Sequence, residues 1–132
     1  MCKEKESKTG NDAKKNKEKD LSERIYQFVI RIVKLVNELP NTIAGNRIGA
    51  QLLDAGTSVG ANYEEASAAF SKADFTYKMS TARKESYETH FWLRVIRDTE
   101  LLPKKRMGEI IQEAEEIKKI LTSSVKTAKE NP

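Results

Sequence analysis

A chain of 132 residues has room for one ordinary domain with a hydrophobic core and not for two. Charged residues at 33% against apolar residues at 38% fit exposed helices around a modest core better than a two-sided parallel sheet, and a single cysteine, Cys2, excludes an intrachain disulfide or a cysteine-based zinc site. The net charge of +4 is a mild basic bias, compatible with nucleic acid but short of the dense positive patch that would argue for it unaided.

Residues 1–19 hold no large apolar side chain after Met1, so they cannot bury enough surface to offset ordering entropy. A disordered charged tail is expected over 1–20, ahead of one domain over 21–130. A solubilising tail is its plainer reading and a nucleic-acid-binding arm the other. Cys-Lys-Glu-Lys-Glu after Met1 is no hydrophobic signal core, and no run nears the ~20 apolar residues of a membrane span, which points to the cytoplasm and away from membranes.

Asp20 and Glu23 have the spacing of a capping box and predict the start of a first helix. Ile25, Phe28, Val29, Ile32, Val33, Val36 and Leu39 recur at steps of three and four as its apolar face, and Pro40 ends it. Tyr26 and Ile30 fall beside that face and widen it beyond one core seam, as a subunit interface would. A second helix is expected over 47–69, with Ile48, Leu52, Ala55, Val59, Asn62, Tyr63, Ala66 and Phe70 inward. Gly49, Gly56 and Gly60 weaken it as an isolated helix and imply the close approach of a neighbour.

Ser71 and Asp74 mark a cap, and a third helix over 74–97 turns Phe75, Met79, Ala82, Ser86, Leu93 and Ile96 inward. Phe91, Trp92 and Leu93 are consecutive, so at about 100° per residue they point three ways and Phe91 and Trp92 need cover outside the core. After Leu101-Leu102-Pro103, a fourth helix carries Met107, Ile110, Ile111, Ala114, Ile117, Leu121, Val125 and Ala128. Four amphipathic helices with short links predict an all-α, antiparallel up-down-up-down four-helix bundle.

Glu64, Glu65, Glu85 and Glu88 invite a carboxylate-bridged di-iron reading, but the only histidine, His90, has Tyr87 three positions before it, so no Glu-x-x-His motif exists. No metal and no other cofactor is expected. Arg83, Tyr87, His90, Arg94 and Arg97 form a basic and aromatic stripe along the third helix, with Lys104, Lys105 and Arg106 just beyond. Guanidinium groups pair with phosphates and aromatic rings stack on unpaired bases, the chemistry of an RNA or single-stranded DNA surface. A face paired with glutamates is the plainer alternative. The spacing of Arg83 and His90 also matches the Arg-x(4-6)-His motif of HEPN-type ribonucleases, with His90 as general acid or base, though no partner base is identifiable. Asn62, beside Ser58 and Glu65, is expected to be near-buried and to fix helix register through hydrogen bonds.

The run over 51–66, with Ser58, Val59, Asn62, Glu65 and Ala66, resembles the bacterial four-helix bundle proteins also called large-subunit ribosomal RNA intervening-sequence proteins, which are similar to the accessory variability protein of diversity-generating retroelements. Phe75, Lys78, Ala82, Glu85, Glu88, Thr89, Trp92 and Leu93 match the family's second block, and the likeness spans about 21–121. The resemblance implies a homopentameric ring of bundles without enzymatic activity, in which Tyr26, Ile30, Phe91 and Trp92 would meet a neighbouring subunit. Its retroelement members bind nucleic acid and a reverse transcriptase through basic surfaces. The expected function is therefore a non-catalytic oligomeric nucleic-acid scaffold. A protein-binding adaptor and a ribonuclease are the alternatives.

Overall fold

The computed structural model describes residues 10–131, which form four helices: α1 (Gly10–Glu38), α2 (Ile43–Ser67), α3 (Lys72–Asp98) and α4 (Lys104–Glu130). No strand occurs among the described residues, and each helix packs against the next in the chain, with α1 returning to α4. The chain is a four-helix bundle. Among the described residues no helix is long and apolar enough to cross a membrane.

Helix α1 begins ten residues before the Asp20 cap that the sequence suggests. From Asn11 to Lys19 there is no proline or glycine, and lysine, glutamate and alanine are good helix formers, so nothing in the chain halts the helix at Asp20. The expected tail is thus helix over 10–19, and residues 1–9 lie outside the described residues. The Ser71 cap is formed, its hydroxyl accepting the Asp74 amide at 3.1 Å. Thr42 caps α2 in the same way, accepting the Gly45 amide at 3.0 Å, so α2 starts earlier than the sequence suggests.

The end of α3 is closed differently. Glu100 takes a left-handed conformation at φ 55°, while its amide donates to the Arg97 carbonyl at 3.2 Å and the Leu101 amide to the Ile96 carbonyl at 3.1 Å. This is a Schellman ending with glutamate where glycine is usual, and it turns the chain sharply into α4.

The core follows the helical period. Ile25, Phe28, Ile32 and Leu35 of α1 meet Leu52 and Val59 of α2, Leu93 and Ile96 of α3, and Met107, Ile110, Ile117 and Leu121 of α4. Leu35, absent from the expected apolar face, is fully buried, while Val29, Val33, Val36 and Leu39 are half-buried. Phe70 is fully exposed, because α2 ends at Ser67 and the link to α3 carries the ring off the inward stripe. Asn62 is half-buried rather than buried, and its amide donates to the Ser58 carbonyl at 2.9 Å within α2, so it bonds its own helix and not a neighbour.

Helix α1 rests on an edge of α2 stripped of side chains. A Cβ on Gly56 would lie 2.8 Å from Ile32 Cγ2, one on Gly60 2.8 Å from Val29 Cγ2, and one on Gly49 3.1 Å from a Leu39 methyl. The sequence expectation of close approach is met here. Polar clamps hold α1 against α4: the Arg24 guanidinium bonds Glu113 at 2.7 and 2.8 Å and also reaches Glu116, and Arg106 bonds Glu38 at 2.6 Å. These partners run in opposite sequence order along the two helices, as do the α1 and α2 partners at the glycine edge.

Thermal and urea denaturation test this packing. Gly56→Ala is expected to destabilise by about 1–3 kcal/mol, because the β-branched, fully buried Ile32 cannot give way. Gly108→Ala, which meets nothing within 4 Å, should stabilise by about 1 kcal/mol through helix propensity. Glu100→Gly should likewise stabilise by about 1 kcal/mol by relieving the left-handed residue.

Candidate nucleic-acid interface

Helix α3 is covered on two sides, by α2 and by α4, and each side has its own chemistry. Toward α2 lie the motif carboxylates. Glu65 accepts from Lys78 at 2.6 Å, and Glu88 accepts from the Trp92 indole at 3.2 Å. Burial raises the Glu85 carboxyl above the usual range, and Glu88 and Asp54 add to the shift. Leu93 is wholly buried, Trp92 is half-buried and packs on the core, and Phe91 points out with its ring edge-on to Trp92 at 4.9 Å.

Toward α4 lies the basic stripe. With 3.6 residues per turn, Arg83, Tyr87, Phe91 and Arg94 fall within an arc of about 80°. Tyr87 is 49% exposed and Phe91 46%. The Tyr87 hydroxyl sits 3.4 Å from Thr122 of α4, and its ring lies under Lys118 Nζ at 4.9 Å. The Arg94 guanidinium lies 5.9 Å from the centre of the Phe91 ring. Neither Arg83 nor Arg94 forms an ion pair with another described residue.

His90 is placed differently from its neighbours. It is 9% exposed and wedged between α3 and α4, with Nε2 3.1 Å from Glu115 Oε2 and Nδ1 3.4 Å from Lys118 Nζ. Lys118 is also 3.1 Å from Glu115. A lysine donates only, so Nδ1 accepts and Nε2–H donates to the carboxylate, which defines a neutral imidazole. Burial pushes the His90 pKa below its ordinary 6.5, Lys118 adds to this, and Glu115 opposes it. Glu115 is held low, chiefly by its hydrogen bond from Lys118. Both ring nitrogens are engaged within the protein.

The remaining stripe residues are dispersed. Arg97 is paired with Asp98 at 2.8 Å. Lys104 lies near Asp98, while Lys105 lines an open cleft with Arg31, Glu109 and Glu113, and Arg106 is clamped to Glu38. The run at 104–106 therefore divides between the two sides of α4. Tyr26, 58% exposed, and Ile30, half-buried, lie on α1 away from Phe91 and Trp92. Glu115, Lys118, Lys119 and Thr122 of α4 were not singled out from sequence. Their spacing of three, four and seven marks one helix face, but only the α3–α4 packing shows that this face adjoins Tyr87 and His90. Among the described residues no group of three or more His, Cys, Asp or Glu side chains is arranged to hold a metal ion.

The 23S rRNA-intervening sequence protein family matches residues 17–123. The chain belongs to this family. Among solved structures it is similar to a protein of unknown function from the S23 ribosomal protein family of Bacteroides thetaiotaomicron, with 35% identity, a TM-score of 0.74, and coverage of 83% of this chain and 98% of that one. No functionally curated protein matches. Of the motif residues, Glu65 lies on α2 and Glu85 and Glu88 on the flank of α3 away from the cations, so the residues that carry the family resemblance are not those of the candidate interface.

The His90 pocket has a consequence for stability. A histidine whose folded pKa is lowered binds its proton better in the unfolded chain, so its contribution is present above pH 6.5 and is lost as pH falls toward the folded value. As the only histidine, His90 should give an unfolding free energy that declines below pH 6.5 with a slope of at most about 1.4 kcal/mol per pH unit. His90→Gln, whose amide can meet both Glu115 and Lys118, should flatten that decline.

Proposed function

We propose that this chain is a non-catalytic, homo-oligomeric scaffold that binds nucleic acid through the α3–α4 face. The observation that carries the reading is the joining of Arg83 and Arg94, neither in an ion pair, to the exposed Tyr87 and Phe91 and to Lys118 on the adjacent helix. Unpaired guanidinium groups beside exposed rings suit phosphate and base together. Membership of a family named for an intervening sequence in ribosomal RNA supports the same class of ligand. Engagement of both His90 nitrogens speaks against the ribonuclease alternative, which needs one of them free to move a proton.

Self-association is supported by α1, whose outward arc carries Tyr26, Ile30 and Val33. An apolar strip of this kind suits a subunit contact, and a pentameric ring would repeat the basic face by symmetry and multiply weak sites. We infer a cytoplasmic role, with a reverse transcriptase of a diversity-generating retroelement as the protein partner that the family likeness suggests. The same α1 strip favours a second reading, a protein-binding adaptor that makes no contact with nucleic acid.

Light scattering of the purified chain, alone and with a mixed-sequence RNA at rising salt, tests these readings together. The expected result is an oligomer that carries RNA at low salt and releases it as salt rises. In a companion titration, replacing Arg83 and Arg94 by glutamine should flatten the plot of log K against log salt by about 1.4, at about 0.7 per single-strand phosphate contact. A monomer would contradict the oligomeric part. A salt-independent affinity would contradict the electrostatic part, and an oligomer that holds no RNA at any salt would favour the adaptor.

A further inference from the structure

Tyr87 and Phe91 stand one helical turn apart on the free arc of α3, and each lies beside a cation: Lys118 Nζ is 4.9 Å from the Tyr87 ring centre and the Arg94 guanidinium 5.9 Å from that of Phe91. Four residues of helix advance about 6 Å along the axis. Successive nucleotides in a stacked strand are only about 3.4 Å apart. Two neighbouring bases therefore reach the two rings only after they have separated from each other. A duplex cannot supply them, because its base faces are covered by stacking and it presents only phosphates and groove edges to a helix surface.

The cations are placed to assist. In the free protein each is drawn to its ring by the ring's quadrupole. Arg94 forms no contact ion pair among the described residues and interacts with Asp98 only at longer range, so a phosphate can draw it over when a base takes the ring. Lys118, held by Glu115, lies over one face of the Tyr87 ring and stays there as a fixed positive charge, so a base stacks on the opposite face. Arg83 lies one turn before Tyr87 on the same arc and continues the positive track.

From this geometry we propose that Tyr87 and Phe91 form a two-base stacking platform, so that the α3 face takes an unpaired nucleic-acid strand in preference to a duplex. The proposal rests on the nucleic-acid reading given above and adds the ligand class and the residues that select it. It moves Phe91 from the subunit contact suggested by sequence to the ligand surface.

The test uses the full chain and fluorescence anisotropy at one fixed salt concentration. Three probes are compared: a short mixed-sequence RNA, a DNA of the same sequence, and the RNA annealed to its complement. The variants are Tyr87→Leu, Phe91→Leu and the double change, which keep apolar bulk but remove the aromatic face. The unpaired strands should bind at least about tenfold more tightly than the duplex, and each leucine should weaken them by about fivefold or more while leaving duplex binding unchanged. RNA and DNA share the base face that the rings contact, so the tighter of the two identifies the strand that the platform meets. Equal binding of strand and duplex would overturn the inference, as would a double variant that keeps the preference. A Phe91→Leu protein with altered oligomer mass and intact strand preference would return the ring to the subunit contact. Binding of none of the probes would instead sink the nucleic-acid reading itself.

Discussion

The arrangement depends on α3 being packed from both sides at once. A helix turns about 100° per residue, so a helix held by α2 on one flank, by α4 on the other and by the core beneath has one arc left for solvent. The motif carboxylates and Trp92 occupy the α2 flank, where Lys78 pairs with Glu65 and the Trp92 indole donates to Glu88. His90 occupies the α4 flank, where Glu115 and Lys118 satisfy it. What remains outward is Tyr77, Lys84, Tyr87, Phe91 and Arg94, with the half-buried Arg83 at the edge, a set that folding of a single chain gives no reason to keep aromatic.

The other half of the bundle has the opposite character. Glycines 49, 56 and 60 let α1 sit close against α2, so α1 buries Ile25, Phe28, Ile32 and Leu35 completely and still has apolar residues left over on its outer side. The Arg24 and Arg106 clamps hold α1 against α4 by charge across a seam with few close backbone approaches. The molecule thus has an apolar outer arc on α1 and an aromatic and cationic outer arc on α3. The function proposed above assigns a protein surface to the first and a polyanion to the second.

Much of the fold was legible in the sequence because helix periodicity is a local signal. The inward residues of the fourth helix were read in full apart from Ala128, which is half-buried, and the glycine edge was read as close approach before the neighbour was known. Local signals also misled. Asp20 and Glu23 resemble a cap, yet a cap ends nothing when the residues before it are themselves good helix formers. Phe70 continued an inward stripe on paper, but α2 stops three residues before it. Of the site, the stripe on α3 was legible, since it lies on one helix. The pairing of His90 with Glu115 and Lys118 spans α3 and α4 and leaves no trace in spacing, and without it His90 reads as a surface ligand when it is an internal fastener. For Phe91 the sequence shows that a ring needs cover but not which partner provides it.

The claim that the free arc of α3 is the ligand face is tested most directly by ultraviolet crosslinking of a bound, mixed-sequence single-stranded RNA, with the attachment points mapped by peptide mass spectrometry. Adducts are expected at Tyr87 and Phe91, with weaker ones at the neighbouring Lys118. Adducts confined to Tyr26 and the rest of the α1 strip would contradict it, placing the nucleic acid on the apolar arc and leaving the α3 face to a protein.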